Sequence, residues 1–114
     1  MPNFSTVGQV NLQSGDELQW EFQIPPAVSV TEKGAIPYNS NVASVVAVAY
    51  DGDGVVVTSD LISGIPTVTS NIIYVVFKYP VLNGDGRYKV TFSCTLDTGN
   101  TRQFDFGRIV AKNQ

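Results

Sequence analysis

The side chains best suited to chemistry in this chain are ten carboxylates and one thiol, and histidine is absent. Without imidazole, His-based nucleophilic triads and histidine-ligated zinc sites are excluded. A lone cysteine, Cys94, builds neither a thiolate cluster nor an internal disulfide. Two carboxylates are enough for glycoside hydrolysis. Here, however, Asp16, Asp51, Asp53, Asp85 and Asp97 fall in turn-forming stretches. Glu17, Glu21 and Asp105 take the polar phase of strand-like stretches. Those are the places where a β domain carries ordinary surface acids, so no enzymatic activity is expected. Cys94 falls in the inward phase of a strand and reads as a small buried hydrophobe.

Gly-Asp-Gly occurs twice, as Gly52-Asp53-Gly54 in "YDGDGVVVT" and as Gly84-Asp85-Gly86 in "LNGDGRYKVT". An EF-hand loop starting at Asp51 needs an oxygen ligand at its fifth position and glutamate at its twelfth. Val55 and Ile62 stand there instead. An irregular calcium loop drawing on Asp51, Asp53 and Asp60 is the alternative to a plain turn. A phosphate cradle leads into a helix N-terminus, whereas β-branched or aromatic runs follow both copies. Their flanks do not align further, so no internal repeat is assigned. Both copies read as turns, with glycine supplying positive φ and aspartate a local side-chain-to-backbone bond. No metal and no cofactor is assigned.

Charge is segregated along the chain. Residues 1–77 hold one lysine, Lys33, against seven carboxylates, while residues 78–114 hold six basic residues against three acidic ones. A basic face on the C-terminal strands, with Arg87, Lys89 and Arg102 as its candidate partner-binding residues, could meet an acidic surface. The plainer alternative is a solvated sheet face of mixed charge. Tyr38, in "GAIPYNSN", is the loop aromatic best placed to stack on a ligand. Nucleic acid is not an expected partner, because the total charge is −3 and no basic cluster is interleaved with aromatics.

The elements that would carry these residues read as strands. At 114 residues the chain is sized for one domain, residues 1–114, able to bury roughly 65% of its unfolded surface. Apolar residues make up 43% and charged residues 15%, which argues against disorder. "ELQWEFQI", residues 17–24, alternates strictly and places Leu18, Trp20, Phe22 and Ile24 on the core face. Pro25-Pro26 ends it, with "AVSVT" as a short continuation and "EKGAIPYNSN" as a loop. "VASVVAVAY" and "NIIYVVFKY" are apolar on both faces, so each is either central and covered or in contact with another chain. "VVVT", residues 55–58, reads as a short strand and "SDLISGIPTVTSN" as a connecting stretch.

"RYKVTFSCTL" turns Tyr88, Val90, Phe92, Cys94 and Leu96 inward and Arg87, Lys89, Thr91, Ser93 and Thr95 outward. Phe104 and Phe106 on the return strand share the inward face only if paired residue numbers have an even sum. Pairing Cys94 with Phe104 is one such register. It implies a three-residue loop, Thr98-Gly99-Asn100, with Gly99 or Asn100 at positive φ, and Gly107 reads as a bulge. Seven or eight short strands at 8–12-residue spacing indicate an all-β, antiparallel, immunoglobulin-like β-sandwich. The paired cysteines of an antibody domain are missing.

The start, "MPNFSTVGQV", shows neither a basic n-region nor an apolar h-region, so no signal peptide is expected. No apolar run approaches the ~20 residues that span a bilayer, and no membrane partner is expected.

In order along the chain stand Gly15-Asp16 before a strand, "VASVVAVAYDGDGVVVTSDL", "GIPTVTSN", "NGDGRYKVTFSCTLDTGN" and "RQFDFGRIVA". From Leu12 onward this pattern resembles small immunoglobulin-like structural proteins of tailed bacteriophages and prophages. "KYPVLNGDG" departs from it, since the relatives more often carry a Gly-Gly run there. The resemblance implies a virion structural protein, favoured as a capsid decoration or cement protein that binds the major capsid protein. Another virion protein is the alternative partner. It implies a homo-oligomer, trimeric at three-fold positions, made in the host cytoplasm and placed on the outer capsid surface. The alternatives are a tail or fibre adhesion module that binds a host glycan through Tyr38, and a head–tail or tail adaptor.

Overall fold

A computed structural model describes residues 9–24, 26, 34 and 36–113. Among them are seven strands: β1 Val10–Leu12, β2 Glu17–Gln23, β3 Val42–Tyr50, β4 Ile62–Thr69, β5 Ile72–Lys78, β6 Gly86–Leu96 and β7 Thr101–Ala111. A single helical turn, α1 Thr58–Leu61, follows β3. The strands form two sheets, ordered β1-β7-β6-β3 and β2-β5-β4. This is the expected immunoglobulin-like sandwich: β2, β5 and β4 take the places of strands B, E and D, and β3, β6 and β7 those of C, F and G. One pair departs from the antiparallel expectation. β1 runs parallel to β7, with Val10 opposite Ile109 and Leu12 opposite Ala111. All four side chains are buried, so this short strand closes the core at that edge.

Phe22, Phe77 and Phe92 are the largest fully buried side chains. The Phe22 ring lies 5.1 Å from those of Phe92 and Phe106 and 6.4 Å from that of Phe77. These rings join β2 to β6, the two strands that antibody domains link with a disulfide. Burial of each ring is worth about 1.5–3 kcal/mol, and a ring pair adds about 0.5–1.5 kcal/mol. Period two holds along β2, but depth is graded: Phe22 and Ile24 are fully buried, Trp20 packs at the margin, and Leu18 stands out as the strand leaves the sandwich.

Two assignments change. Residues 55–58 do not form a strand: Val56 makes one bridge to Tyr50, and the chain then enters α1. "SDLISGIPTVTSN" is not merely a connection, because β4 lies within it. Its ladder with β5 breaks between Ser63 and Thr67, around Gly64 and Pro66. An edge strand tolerates such residues, which explains why their presence hides it from sequence. Ser70 and Asn71, at φ 51° and 62°, close the tight β4–β5 hairpin.

The β6–β7 register has the expected parity but is shifted by two residues. Phe92 faces Phe104 and Cys94 faces Arg102. Leu96 N donates to Asn100 O, so the loop is residues 97–99, with Gly99 at φ 91°. The expected bulge is present: Lys89 faces the extra residues Gly107 and Arg108, which lets both Phe106 and Ile109 turn inward. The two-faced strands also separate. β5 is central, and its outward Ile72, Tyr74 and Val76 are half-buried between polar rows on β2 and β4. β3 is an edge strand with Val46 exposed. The "AVSVT" segment lies outside the described residues.

Candidate functional site

Each Gly-Asp-Gly copy forms a turn, and the fold brings the two together at one end of the sandwich. In the first, Asp51 Oδ1 accepts hydrogen bonds from the N–H groups of Asp53 and Val55, both at 2.9 Å. Gly54 N donates to Asp51 O at 3.1 Å. In the second, Gly84 takes φ 77° and its N–H donates to Pro80 O at 2.7 Å. Tyr88 Oη then donates to Gly84 O at 2.6 Å. That is the tyrosine corner of immunoglobulin-like folds, near the start of the F strand. A cleft of about 270 Å³ lies between the turns, lined by Asp51, Asp53, Asn83, Asp85, Arg87 and Tyr88 among others.

Asp51 and Asp85 are committed to protein donors. Asp85 does not make the local turn bond expected of it: its Oδ1 accepts from Tyr79 Oη at 2.6 Å and from Asn113 N at 2.7 Å, tying the end of β5 and the residues after β7 to one turn. The Tyr79 bond, the Asn113 amide and the charge of Lys112 hold the Asp85 carboxyl below its ordinary value against partial burial. The same bond, with burial and the Asp85 charge, pushes the Tyr79 phenol up to about 12. Burial, and then the charges of Asp60, Asp51 and Asp85, raise the Tyr88 phenol.

From the sequence, Asp60 enters only through the alternative of an irregular calcium loop. It does not join Asp51 and Asp53 in a calcium loop. It lies in α1 with only 6% of its surface exposed. Its carboxylate accepts from Leu82 N at 3.2 Å, Asn83 N at 2.9 Å and Asn83 Nδ2 at 2.7 Å. Burial raises its pKa, but the Asn83 side-chain bond, the two amide bonds and the charge of Lys78 outweigh that and lower it. The clamp fixes a turn that holds Val81 and Leu82 out into solvent, 74% and 86% exposed. No local signal links Asp60 to residues more than twenty positions away. Among the described residues, no group of three or more His, Cys, Asp or Glu side chains is placed to hold a metal ion.

The four candidate partner residues are not gathered. Arg87 and Lys89 are exposed at the start of β6, where Arg87 lines the cleft and Lys89 Nζ sits 5.4 Å from the centre of the Tyr50 ring. Arg102 pairs with Cys94, so it takes the phase of the inward face and does not extend the Arg87–Lys89 row. It lies seven residues further along the ladder, ~23 Å at about 3.3 Å per residue. Tyr38, exposed in a turn closed by the Ser40 N to Pro37 O bond, belongs to that far end. There Asn41 bonds Asp97 and Asn71, linking three connecting segments, a network the sequence did not reveal. A single basic face is therefore not formed, because the even-sum pairing of β6 and β7 gives Arg102 the phase of Phe104 and Phe106, opposite to that of Arg87 and Lys89.

No helix among the described residues is long and apolar enough to cross a membrane. No protein-family model, curated protein or solved structure matches the chain.

Proposed function

We propose that this chain is a structural protein of a tailed-phage particle: a non-enzymatic decoration or cement protein that docks as a homo-oligomer on the major capsid protein. The observation that carries this reading, beside the resemblance from Leu12 onward, is the turn that displays Val81 and Leu82. Both side chains are largely solvent-exposed, while the buried Asp60 clamps the backbone beneath them. Exposed apolar groups of this kind mark protein interaction sites when they cluster. A turn fixed before contact loses little freedom on docking, which favours affinity from a small area. Val55 and Val56, also exposed, follow the neighbouring Asp51 turn and widen the apolar end.

The test is composition of purified particles. The chain is expected at a fixed, high copy number, and Leu82→Asp is expected to remove it from particles while leaving its fold intact. Absence of the wild-type chain from particles refutes the proposal, and low copy at a vertex or tail favours the adaptor role instead. The exposed Tyr38 supports the adhesion alternative, which requires Tyr38→Ala to abolish binding to host cells.

A further inference from the structure

Asn83 is the only asparagine in the chain that is followed by glycine. That dipeptide can react with itself. The backbone nitrogen of the second residue attacks the side-chain amide carbon of the first, and glycine puts no Cβ in the way. A bond forms between Gly84 N and Asn83 Cγ, and the bond from Cγ to Nδ2 breaks. The proton on the backbone nitrogen departs with Nδ2 as ammonia. Water then opens the cyclic imide at either carbonyl, giving aspartate or its β-linked isomer, and no other reactant is needed.

The fold engages both reacting groups. Gly84 N donates to Pro80 O at 2.7 Å, so the nucleophile is tied to the far side of its turn. Asn83 Nδ2 donates to Asp60 Oδ2 at 2.7 Å, and Asn83 N donates to the same oxygen at 2.9 Å. The amide that must swing toward Gly84 is therefore held at its leaving group and at its backbone. Tyr88 Oη, bonded to Gly84 O at 2.6 Å, fixes the other side of Gly84. Asn83 is nonetheless exposed, and water reaches it. What guards it is the bonding of the turn, not burial.

We propose that Asn83 is a self-modification site, a deamidation at Asn83-Gly84 whose rate is set by the Asp60 clamp and which proceeds when residues 80–84 open locally. The change runs one way. In the aspartate product an oxygen replaces Nδ2, and a carboxylate faces that of Asp60 where a donor stood. Asp60 is only 6% exposed, so water screens this repulsion poorly. In the β-linked product an extra methylene enters the backbone between Asn83 N and Gly84 N, which displaces Gly84 N from Pro80 O. Neither product closes the turn as before, and the fixed display of Val81 and Leu82 is lost. The chemistry is independent of the particle reading.

Peptide mapping by mass spectrometry after incubation at neutral pH reads the reaction. Trypsin cuts after Lys78 and Arg87 and frees residues 79–87, in which Asn83 is the sole side-chain amide. Exchange of NH2 for OH changes the mass of that peptide, whereas isomerisation at Asp85-Gly86 does not. The folded chain should deamidate about ten-fold or more slowly than the chain unfolded in urea, since about 1.4 kcal/mol of turn stability suffices for that factor. Asp60→Asn should speed the reaction in the folded chain about ten-fold or more. Phe22→Ala, which loosens the core and leaves the turn bonds in place, should not. Asn83→Asp, identical to one product, should shift the unfolding equilibrium about ten-fold or more toward the unfolded chain. Equal rates in the folded and unfolded wild type, equal rates in Asp60→Asn and wild type, equal acceleration by Asp60→Asn and Phe22→Ala, or an unchanged stability of Asn83→Asp overturns the proposal.

Discussion

Replacing Asp60 by asparagine changes almost no volume but converts a carboxylate that accepts three hydrogen bonds into an amide with one acceptor and one donor group. The donors are Leu82 N, Asn83 N and Asn83 Nδ2, at 3.2, 2.9 and 2.7 Å. A hydrogen bond to a charged group is worth about 1.5–3 kcal/mol net. The full sum is not lost, because Leu82 and Asn83 are exposed and their donors regain water, and asparagine keeps one oxygen. The expected cost is about 2–4 kcal/mol in urea unfolding, or a Tm drop on the order of 10 °C. The pH dependence gives a second signature. The folded pKa of Asp60 lies below the ordinary value of 3.8. Its stabilisation is therefore complete above that value and is lost as pH falls through the lower, folded one. The variant should lose this part of the acid limb. Amide exchange at Leu82 and Asn83 should speed up while β6 stays protected. A stability change under about 1 kcal/mol with an unchanged acid limb would refute the clamp.

Three further outcomes are expected. Tyr88→Phe removes the 2.6 Å bond to Gly84 O and should cost about 1–2 kcal/mol in denaturant unfolding; a neutral result would show that this corner is not stabilising. Phe22→Ala deletes the ring that contacts Phe77, Phe92 and Phe106, and should cost about 3–5 kcal/mol in the same measurement. Cys94 is fully buried, and burial pushes its thiol up to about 11. A thiol reagent at neutral pH should therefore label it only at the rate of unfolding, and fast labelling of the native protein would contradict its placement.

Much of the fold was legible because one face of each long strand is buried. Alternation in β2 and β6 identified the inward rows, and the even-sum rule correctly put Phe92, Phe104 and Phe106 on one face. It could not choose among registers two residues apart, since each keeps the same parity. That choice decided that Arg102 lies opposite Cys94 and not Leu96, while its face follows from the parity alone. β4 was hidden because Gly64 and Pro66 resemble loop punctuation, and β1 because a three-residue strand has too few positions to show a period.

The candidate site divides in the same way. Local backbone chemistry determined that both Gly-Asp-Gly stretches are turns, since Gly54 and Gly84 supply positive φ and Asp51 bonds backbone groups two and four residues on. That the two turns face one cleft, that Asp60 clamps Leu82 and Asn83, and that Asp85 holds Tyr79 and the residues after β7 were decided only in three dimensions. Short-range preference and periodicity act between residues close in the chain and are written in it. A hydrogen bond between distant turns exists only once two sheets have stacked and brought their ends together.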